Sequence, residues 1–466
     1  MAMTMNYCFR EGIIYASLEA LVPETHFVRK LDRCIDWRFI YSRVAHLYSP
    51  AGRPSIDPVI LFKMLCINIV FGFNSMRRTC RECDMNVAYR WFLGIPFEEK
   101  IPDYSTWSQN YIRRYGDSDI FSQIFEYILC RIQEQGLLDL TTLFGDSTHQ
   151  KASANKNKYE DVEVEVVRKI YEDELLEEIN ADREAHGKKP LKEARDTEYQ
   201  FDEETGEEIE VEVRPTKHIK QSRTDPESGL FHKGEKERCF AYSHQTFCDR
   251  HGFVVRFKTV PGNVHDSVSF FDVYPVLSEK FKGKIQNLVL DAGYVTPAIC
   301  RAVLQAGQKL YVPYKRPMTK KGFFRKYDYV YDEAYDCYIC LQIKLQIKLL
   351  EYVTTNRNGY REYKSDPKDC KSCPFLSRCT QSGNHQKTVT RHIWEAYKEE
   401  VNELRYTPEW KEIYPQRKET IERVFADSKE QHNLRYTRLR GLMKNEHQVS
   451  LIFAFHNLKR MARWTQ

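Results

Sequence analysis

Between residues 138 and 313, short apolar and β-branched runs alternate with amphipathic stretches, and this alternation constrains the fold more than any other feature. Short apolar runs bounded by turn residues predict strands, whereas apolar residues at spacings of three and four predict helices. The predicted strands cover residues 138–144, 239–248, 253–260, 287–290 and 309–313, and the predicted helices cover 267–281 and a stretch that starts at Pro297. The order β-β-β-α-β-α-β indicates an α/β core in which helices cover a mixed sheet.

Helical patterns flank this core on both sides. They run from residue 16 to residue 135, most clearly over 56–69 and 120–137, and they return from residue 394 to the C-terminus. We therefore predict an α/β fold with flanking helices, preceded by an all-helical N-terminal domain. Residues 75–90 in that domain contain four arginines among short helical patterns, which suits either a small DNA-binding module or a helical dimerisation unit.

The chain shows no sign of a membrane or secreted protein. Its longest apolar run, residues 59–73, is interrupted by Lys63 and falls short of the ~20 residues that a membrane-spanning helix needs. The N-terminus lacks the basic region, apolar core and cleavage site of a secretory signal. We expect a cytoplasmic protein with no membrane partner and with reduced cysteines.

The formal net charge of +5 hides a strongly uneven distribution. Residues 159–214 contain 21 acidic and 8 basic side chains, a net charge of −13, so the rest of the chain carries +18. A remainder this basic favours a polyanionic partner such as nucleic acid. The acidic tract itself is typical of a loose insertion, with a solvated helix near residues 171–183.

Three acidic residues stand at positions suited to binding divalent metal ions. Asp146 and Asp291 each end a predicted strand, and Glu422 lies on a predicted amphipathic helix over residues 419–430. Carboxylates at strand ends lie at the rim of a sheet, and Mg²⁺ and Mn²⁺ prefer such oxygen ligands. Each acid alone also has an ordinary structural interpretation, as a helix cap, a turn residue or a surface partner of lysine.

Four stretches, in a fixed order, carry a resemblance to a known family. They are FGDSTHQKASANKNK around Asp146, VPGNVHDS at residues 260–267, LVLDAGY around Asp291, and ERVFADSKEQHNLRYTRLRGL from Glu422. With DYSTWSQ at residues 103–109, they cover nearly the whole chain. The sequence resembles the bacterial insertion-sequence DDE transposases, with an RNase H-like core and a cysteine-containing insertion.

The resemblance implies a DNA transposase that binds terminal inverted repeats of an insertion sequence. It implies that Asp146, Asp291 and Glu422 hold Mg²⁺ or Mn²⁺ for DNA cleavage and strand transfer, since two such ions stabilise the attacking and leaving oxygens together. Because two element ends are joined in one event, we expect a homodimer on double-stranded DNA, associated with the bacterial nucleoid.

The same resemblance suggests four domains. These are a helical DNA-binding or dimerisation domain over residues 1–135, the first part of the catalytic core over 136–316 with the acidic insertion at 159–214, a cysteine-containing insertion over 317–390, and the C-terminal helical part of the core over 391–466.

Basic residues around Glu422 are candidate DNA contacts. Glu422 and Lys429 are separated by six residues, as in the family's glutamate motif, whereas Tyr414 and Arg417 lie one residue too far upstream. Lys418 has the nearer spacing, and on a continuous helix Lys418, Glu422 and Lys429 would share one face. We therefore expect Lys418 and Lys429 to contact DNA.

A second basic cluster directly follows the Glu422 helix. Its arginines and tyrosine suit phosphate contact and base stacking, although a solvated surface is the ordinary alternative. The cluster consists of Arg435, Tyr436, Arg438 and Arg440.

Paired cysteines suggest a metal site in the insertion. Tetrahedral zinc often takes four thiolates from two paired-cysteine turns, so Cys337, Cys340, Cys370 and Cys373 form the simplest set. Cys379 is an alternative ligand. A set of Cys340 with Cys370, Cys373 and Cys379 would also suit an iron-sulfur cluster, and free thiols are the third alternative.

Two other functions fit the same residues. One is an RNase H-like nuclease that cuts without strand transfer, and the other is an inactive DNA-binding regulator derived from a transposase. The internal repeat QIKLQIKLL at residues 342–350 and the shifted basic residues motivate the second. His149 and His265 lie beside the motifs, and we expect a structural hydrogen-bonding role for both.

Overall fold

A computed structural model describes most of the 466-residue chain. The described residues are 15–49, 51–52, 54–166, 169–192, 196–201, 208–213, 216–234, 237–316, 318–340 and 348–464. They form a mixed α/β structure with an all-helical N-terminal region, which confirms the predicted fold class. Residues 342–347 of the internal repeat and parts of the acidic tract lie outside the described residues.

Short helices make up the N-terminal region. They are α1 (Leu18–Leu21), α2 (Phe27–Cys34), α3 (Phe39–Val44), α4 (Pro58–Val70), α5 (Met76–Met85), α6 (Val87–Leu93), α7 (Tyr104–Asn110) and α8 (Ile120–Glu134). Local sequence explains several of their starts. The Asp57 carboxylate accepts a hydrogen bond from Val59 N at 2.7 Å, and Pro58 occupies the first helical turn, where a missing N–H costs nothing.

Strands and helices alternate from residue 142 to residue 311. The strands are β1 (Thr142–Lys151), β2 (Tyr159–Glu165), β3 (Asp196–Phe201), β4 (Glu208–Val213), β5 (Thr216–Ser222), β6 (Gly229–Lys233), β7 (Glu237–Asp249), β8 (Val254–Pro261), β9 (Asn287–Val289) and β10 (Lys309–Tyr311). The helices are α9 (Glu172–Ala185), α10 (Asp266–Lys280) and α11 (Pro297–Gln305).

The main sheet has the strand order β10-β9-β1-β7, with β6 and β8 both pairing with β7. β7 is antiparallel to β1, β6 and β8, whereas β9 and β10 extend the sheet in parallel on the other side of β1. The parallel strands β9 and β10 are short, and α11 packs against β10. The antiparallel strands β8, β7 and β1, followed by the parallel strands β9 and β10, form the RNase H-like sheet that the family resemblance implies, and β6 is an additional antiparallel strand on β7.

The acidic tract is more ordered than a loose insertion. β2 pairs with β5, β3 pairs with β4, and α9 buries Leu175 and Ile179 against Trp394. On the same helix, Glu174 and Glu178 accept hydrogen bonds from the Arg301 guanidinium of α11 at 2.6 and 2.7 Å. The helix is therefore only partly solvated, because its apolar face packs on the core.

The cysteine-containing insertion forms its own small sheet. Its strands β11 (Tyr329–Asp332), β12 (Cys337–Cys340), β13 (Lys348–Thr355), β14 (Tyr360–Ser365) and β15 (Thr388–His392) pair in chain order, and two short helices, α12 (Pro367–Lys371) and α13 (Leu376–Cys379), connect β14 to β15. A separate hydrophobic cluster that includes Tyr338, Leu350 and Tyr363 holds these elements together.

The C-terminal helices join the N-terminal region to the main sheet. They are α14 (Glu395–Glu403), α15 (Pro408–Ile413), α16 (Ile421–Gln431) and α17 (Leu442–Trp464). α17 packs against α2, α4, α8 and β8, and one hydrophobic core runs from Val22 to Ala462 through all of these elements. No helix among the described residues is long and apolar enough to cross a membrane.

Candidate active site

Asp146 and Asp291 lie at matching positions on two neighbouring strands. β1 and β9 are parallel with Phe144 opposite Val289, so Asp146 and Asp291 each lie two residues beyond this pair. The prediction that Asp146 ends its strand is wrong, because β1 continues to Lys151 alongside the long strand β7. Only the pairing with β9 ends before Asp146, which leaves this side of β1 open at the carboxylate.

Glu422 occupies the first turn of α16, whose Ile421, Val424 and Phe425 are buried against the core. Its own side chain is exposed. The half-buried Tyr414 is influenced by the charge of Glu422 and by the charges of both aspartates. Burial raises the pKa of the Tyr414 hydroxyl, and the negative charges of Asp291, Glu422 and Asp146 raise it further, so all three acids lie within electrostatic range of this one ring.

Arg417 forms an ion pair with Asp146, with 2.6 Å between Nη2 and Oδ2. The arginine is buried, and among the described residues its Nη1 finds no hydrogen-bond partner. Burial raises the pKa of the Asp146 carboxyl to about 6, with Asp291 and Asp266 adding to the rise and Arg417 and the Ser147 N–H opposing it. Because burial disfavours the charged carboxylate, a cation bound beside Asp146 would lower this pKa.

Asp266, the acid of the VPGNVHDS stretch, was not predicted as a site residue. Ser147 Oγ, directly after Asp146, donates a hydrogen bond to Asp266 Oδ1 at 2.6 Å. The negative charges of Asp266 and Asp146 both act on the buried Tyr294 hydroxyl, which donates to Gln245 Oε1 at 2.7 Å. The first three motifs therefore meet in space, and the position of Asp266 at the start of a predicted helix, within one of the quoted motifs, is the signal that could have identified it.

Lys418 does not share a helix with Glu422. It lies on a separate 3₁₀ turn, Tyr414–Lys418, and the backbone at Thr420, with φ −108° and ψ −99°, breaks the path before α16 begins. The prediction that Lys418 shares a helix face with Glu422 and Lys429 is therefore wrong. The same turn directs the buried Arg417 to Asp146, although Arg417 lies one residue farther upstream of Glu422 than the family's spacing predicts. Lys429 remains on α16, half-buried.

The segment after α16 is tied to the end of β1. Lys151 N donates to Arg435 O at 3.2 Å, and Thr437 N donates to Lys151 O at 3.0 Å. Farther along, Gly441 N donates to the Asp225 carboxylate at 3.0 Å. The backbone is thus fixed at both ends, whereas the side chains of the cluster are exposed: Arg435, Tyr436, Arg438 and Arg440.

The two histidines near the motifs make local contacts. His265 caps α10, with its Nδ1 accepting a hydrogen bond from Ser267 N at 3.2 Å. The His149 ring stacks on Phe231, with 3.7 Å between ring centroids. These contacts account for both rings through packing and hydrogen bonding.

The structure does not bring Cys337 to the other cysteines. Cys337 and Cys340 both lie on strand β12, and because side chains alternate between faces, residues three apart point to opposite faces. Cys340 lies at the same cavity as Cys370, Cys373 and Cys379, and Cys337 does not line it. The predicted set of Cys337, Cys340, Cys370 and Cys373 is therefore wrong in including Cys337. The alternative set consists of Cys340, Cys370, Cys373 and Cys379.

The three acids fit hard divalent ions by their chemistry. They supply carboxylate oxygens from separate elements, and the balancing cation among them is Arg417. As the side chains stand, no group of three or more His, Cys, Asp or Glu residues within the described parts of the chain is arranged to hold an ion. The acids converge on one region without closing around a common centre.

Comparisons with known proteins identify two parts of the chain. The family model for a transposase domain (DUF772) matches residues 16–113, and the model for a transposase DDE domain matches residues 345–462, a range that includes Glu422. No curated protein matches. Among solved structures, the cryo-EM structure of a piggyBac transposase synaptic complex with hairpin DNA aligns at 10% identity and a TM-score of 0.30, covering 94% of this chain and 76% of that one.

Proposed function

We propose that this chain, two parts of which match transposase family models, binds the terminal inverted repeats of an insertion sequence and catalyses their cleavage and strand transfer. Asp146, Asp291 and Glu422 are the proposed catalytic residues and would hold Mg²⁺ or Mn²⁺. When bound, such ions supply Lewis-acid activation of the attacking oxygen and stabilise the leaving oxygen and the phosphate charge. No residue of the chain needs to become a covalent nucleophile.

The observation that carries this proposal is the convergence of the three acids. Asp146 and Asp291 share a register on parallel strands, and Tyr414 lies within electrostatic range of both aspartates and of Glu422. The shared influence on Tyr414 supports a location of Glu422 in the same region as the two aspartates. This arrangement suits a phosphodiester passing across the sheet edge.

Other residues of the chain position these acids. The Arg417 guanidinium fixes the Asp146 carboxylate and offsets part of its charge, which lowers the cost of gathering acids in a half-buried site. Asp266 accepts the Ser147 hydroxyl and so fixes the backbone next to Asp146. We assign Arg417 and Asp266 as positioning residues.

The proposed DNA path runs over Lys418, Lys429 and the exposed arginines after α16. Arg435 already contacts Glu430, whereas Arg438 and Arg440 extend from a backbone fixed at both ends. Charges on a rigid support lose less entropy when they contact phosphate. The segment lies at the far end of β1 from the strand's start, so DNA following it would pass along the strand that bears Asp146.

Replacing both Arg438 and Arg440 by alanine is expected to weaken binding to element-end DNA and to unrelated duplex DNA by similar factors. Each lost phosphate contact reduces the slope of log affinity against log salt by about 1. Fluorescence anisotropy at several salt concentrations measures this slope. The exposed Arg357, in the turn between β13 and β14, provides the matched control as Arg357→Ala, and an unchanged slope in the double variant would remove these arginines from the DNA path.

Joining of DNA strands is the reaction that separates a transposase from a nuclease. Purified chain is mixed with Mn²⁺ or Mg²⁺, labelled DNA that carries the element's own end, and unlabelled target DNA. Labelled strands covalently joined to the target are the expected product. Cleavage without joining would favour the nuclease, and stable end binding without either product would favour the inactive regulator.

The remaining proposals follow from this function. A protein that pairs two DNA ends would act as a homodimer on double-stranded DNA and would reside with the bacterial nucleoid in the cytoplasm. We propose the same four domain ranges for the chain. The N-terminal helices and the main sheet share one hydrophobic core.

A further inference from the structure

Four cysteine side chains of the insertion line one small cavity. Cys340 comes from β12, Cys370 from α12, Cys373 from the turn after it, and Cys379 from the end of α13. The thiols of Cys340 and Cys370 are close enough to Cys379 to act on its charge. Residues separated by up to 39 positions in the sequence thus meet at one point between the sheet and the two short helices.

The local backbone shapes the helical side of this cavity. Asp366 caps α12 by accepting a hydrogen bond from Lys368 N at 2.8 Å, and Cys373 N donates to Cys370 O at 3.0 Å. The second bond closes a tight turn between the paired cysteines, so that Cys370 and Cys373 both line the cavity. Pairs with two intervening residues in such turns are the usual source of two zinc thiolates.

The cavity has the size of a single small occupant. Its volume is about 30 Å³, and its walls include the apolar side chains of Phe324, Leu350 and Phe375. A space of this size can hold a single ion.

One lysine, Lys387, is placed to offset part of the charge that four thiolates would create, since Lys348 is ion-paired with Asp369. Lys348 and Lys387 both line the cavity, and Lys387 Nζ donates to Cys379 O at 3.0 Å and lies 5.4 Å from the centre of the Tyr329 ring. Four thiolates around one Zn²⁺ carry a net charge of −2. A nearby ammonium group makes this charge more tolerable at a half-buried site.

We propose that Cys340, Cys370, Cys373 and Cys379 bind one structural zinc ion. Four protein ligands leave no open position, so the ion would hold the fold and take no part in DNA chemistry. It would fasten β12 to the α12–α13 segment, beside the small hydrophobic cluster of the insertion and the Lys348–Asp369 ion pair. As the side chains stand, the four described thiols are not arranged around an ion, so binding would require rotation about χ1 to bring the sulfurs to a common centre.

Metal content of the full-length chain tests this proposal directly. Protein purified under reducing conditions is dialysed against a weak chelator, and zinc and iron are measured by mass spectrometry. Wild type is expected to retain one zinc per chain, and Cys373→Ser and Cys379→Ser to retain little. Cys337→Ser, on the opposite face of β12, is the matched control and should retain the ion, as should Asp146→Asn, which excludes binding at the proposed catalytic acids.

A second measurement covers the case in which the serine variants do not fold. Metal-free wild type is titrated with Co²⁺, and the absorption bands of tetrahedral cobalt thiolate should appear at one equivalent and disappear when zinc is added. Retention of iron with sulfide would overturn the assignment in favour of a cluster. Absence of zinc and of the cobalt bands in wild type, or loss of zinc in Cys337→Ser with retention in Cys379→Ser, would also overturn it.

Discussion

Glu422→Gln is expected to lower Mn²⁺-dependent cleavage of element-end DNA by at least about 10³-fold, because a neutral amide cannot replace a carboxylate that shares a divalent ion with two aspartates. The substitution preserves the shape of the side chain on the first turn of α16, where Glu422 is exposed and the packing residues are Ile421, Val424 and Phe425. Folding and DNA binding should therefore remain. Labelled-DNA cleavage and anisotropy, measured on the same preparation, distinguish the two properties.

Glu419→Gln is the matched control for this prediction. Glu419 is also exposed, lies three residues before Glu422, and precedes the backbone break at Thr420, so the same charge is removed from the same surface. Its activity should stay within about threefold of wild type, as expected for a surface acid. Comparable activity of Glu422→Gln and Glu419→Gln would exclude Glu422 from the metal site and leave the two aspartates to be paired with another acid, of which Asp266 is the nearest candidate.

The main sheet could be predicted because local sequence patterns indicate most of its strands. Five of its six strands contain an apolar run, and the helices that cover the sheet show three-four spacing. The sixth strand, β6, was not predicted. The length of β1 could not be predicted in the same way. Residues 147–151 are polar, and they are extended because β7 provides thirteen residues of partner strand, which is a property of the tertiary structure.

Asp146, Asp291 and Glu422 were predicted as candidate site residues because each lies in a motif. Arg417 and Asp266 were missed because their roles depend on tertiary contacts. The family's spacing favours Lys418 over Arg417, but Arg417 is the residue that reaches Asp146, from a 3₁₀ turn that ends before the break at Thr420. Asp266 was quoted within a motif, but its contact with Ser147 depends on how α10 meets β1. Neither the break nor the contact leaves a local pattern in the sequence.

The spacing of the cysteines indicates a metal site, but the meaning of a two-residue gap depends on the local secondary structure. A pair separated by two residues suits a metal only when a turn joins it, as between Cys370 and Cys373. Cys337 and Cys340 lie in the stretch CYIC, which is apolar, aromatic and β-branched and therefore predicts a strand. In a strand the same spacing sends the two thiols to opposite faces, so only one of them can reach a shared ion.

Asn457→Ala is expected to lower the free energy of unfolding by about 4 kcal/mol, since it leaves two buried backbone groups without partners at about 1–3 kcal/mol each and removes buried packing as well. Asn457 is fully buried on α17, where its Oδ1 accepts from Val254 N and its Nδ2 donates to Val254 O, both at 2.8 Å. The side chain thus completes the backbone pairing at the start of β8. It also explains how one helix joins the N-terminal helices to the main sheet.

Denaturant unfolding followed by tryptophan fluorescence and by circular dichroism measures the effect, with Lys444→Ala as the control. Lys444 is exposed near the start of the same helix, so its loss should change stability by no more than about 0.5 kcal/mol. A bidentate contact with a strand edge differs from a surface contact because water cannot replace it once α17 covers β8. If Asn457→Ala unfolds at the same denaturant concentration as Lys444→Ala, then water reaches the Val254 backbone, and α17 is held by its apolar face alone.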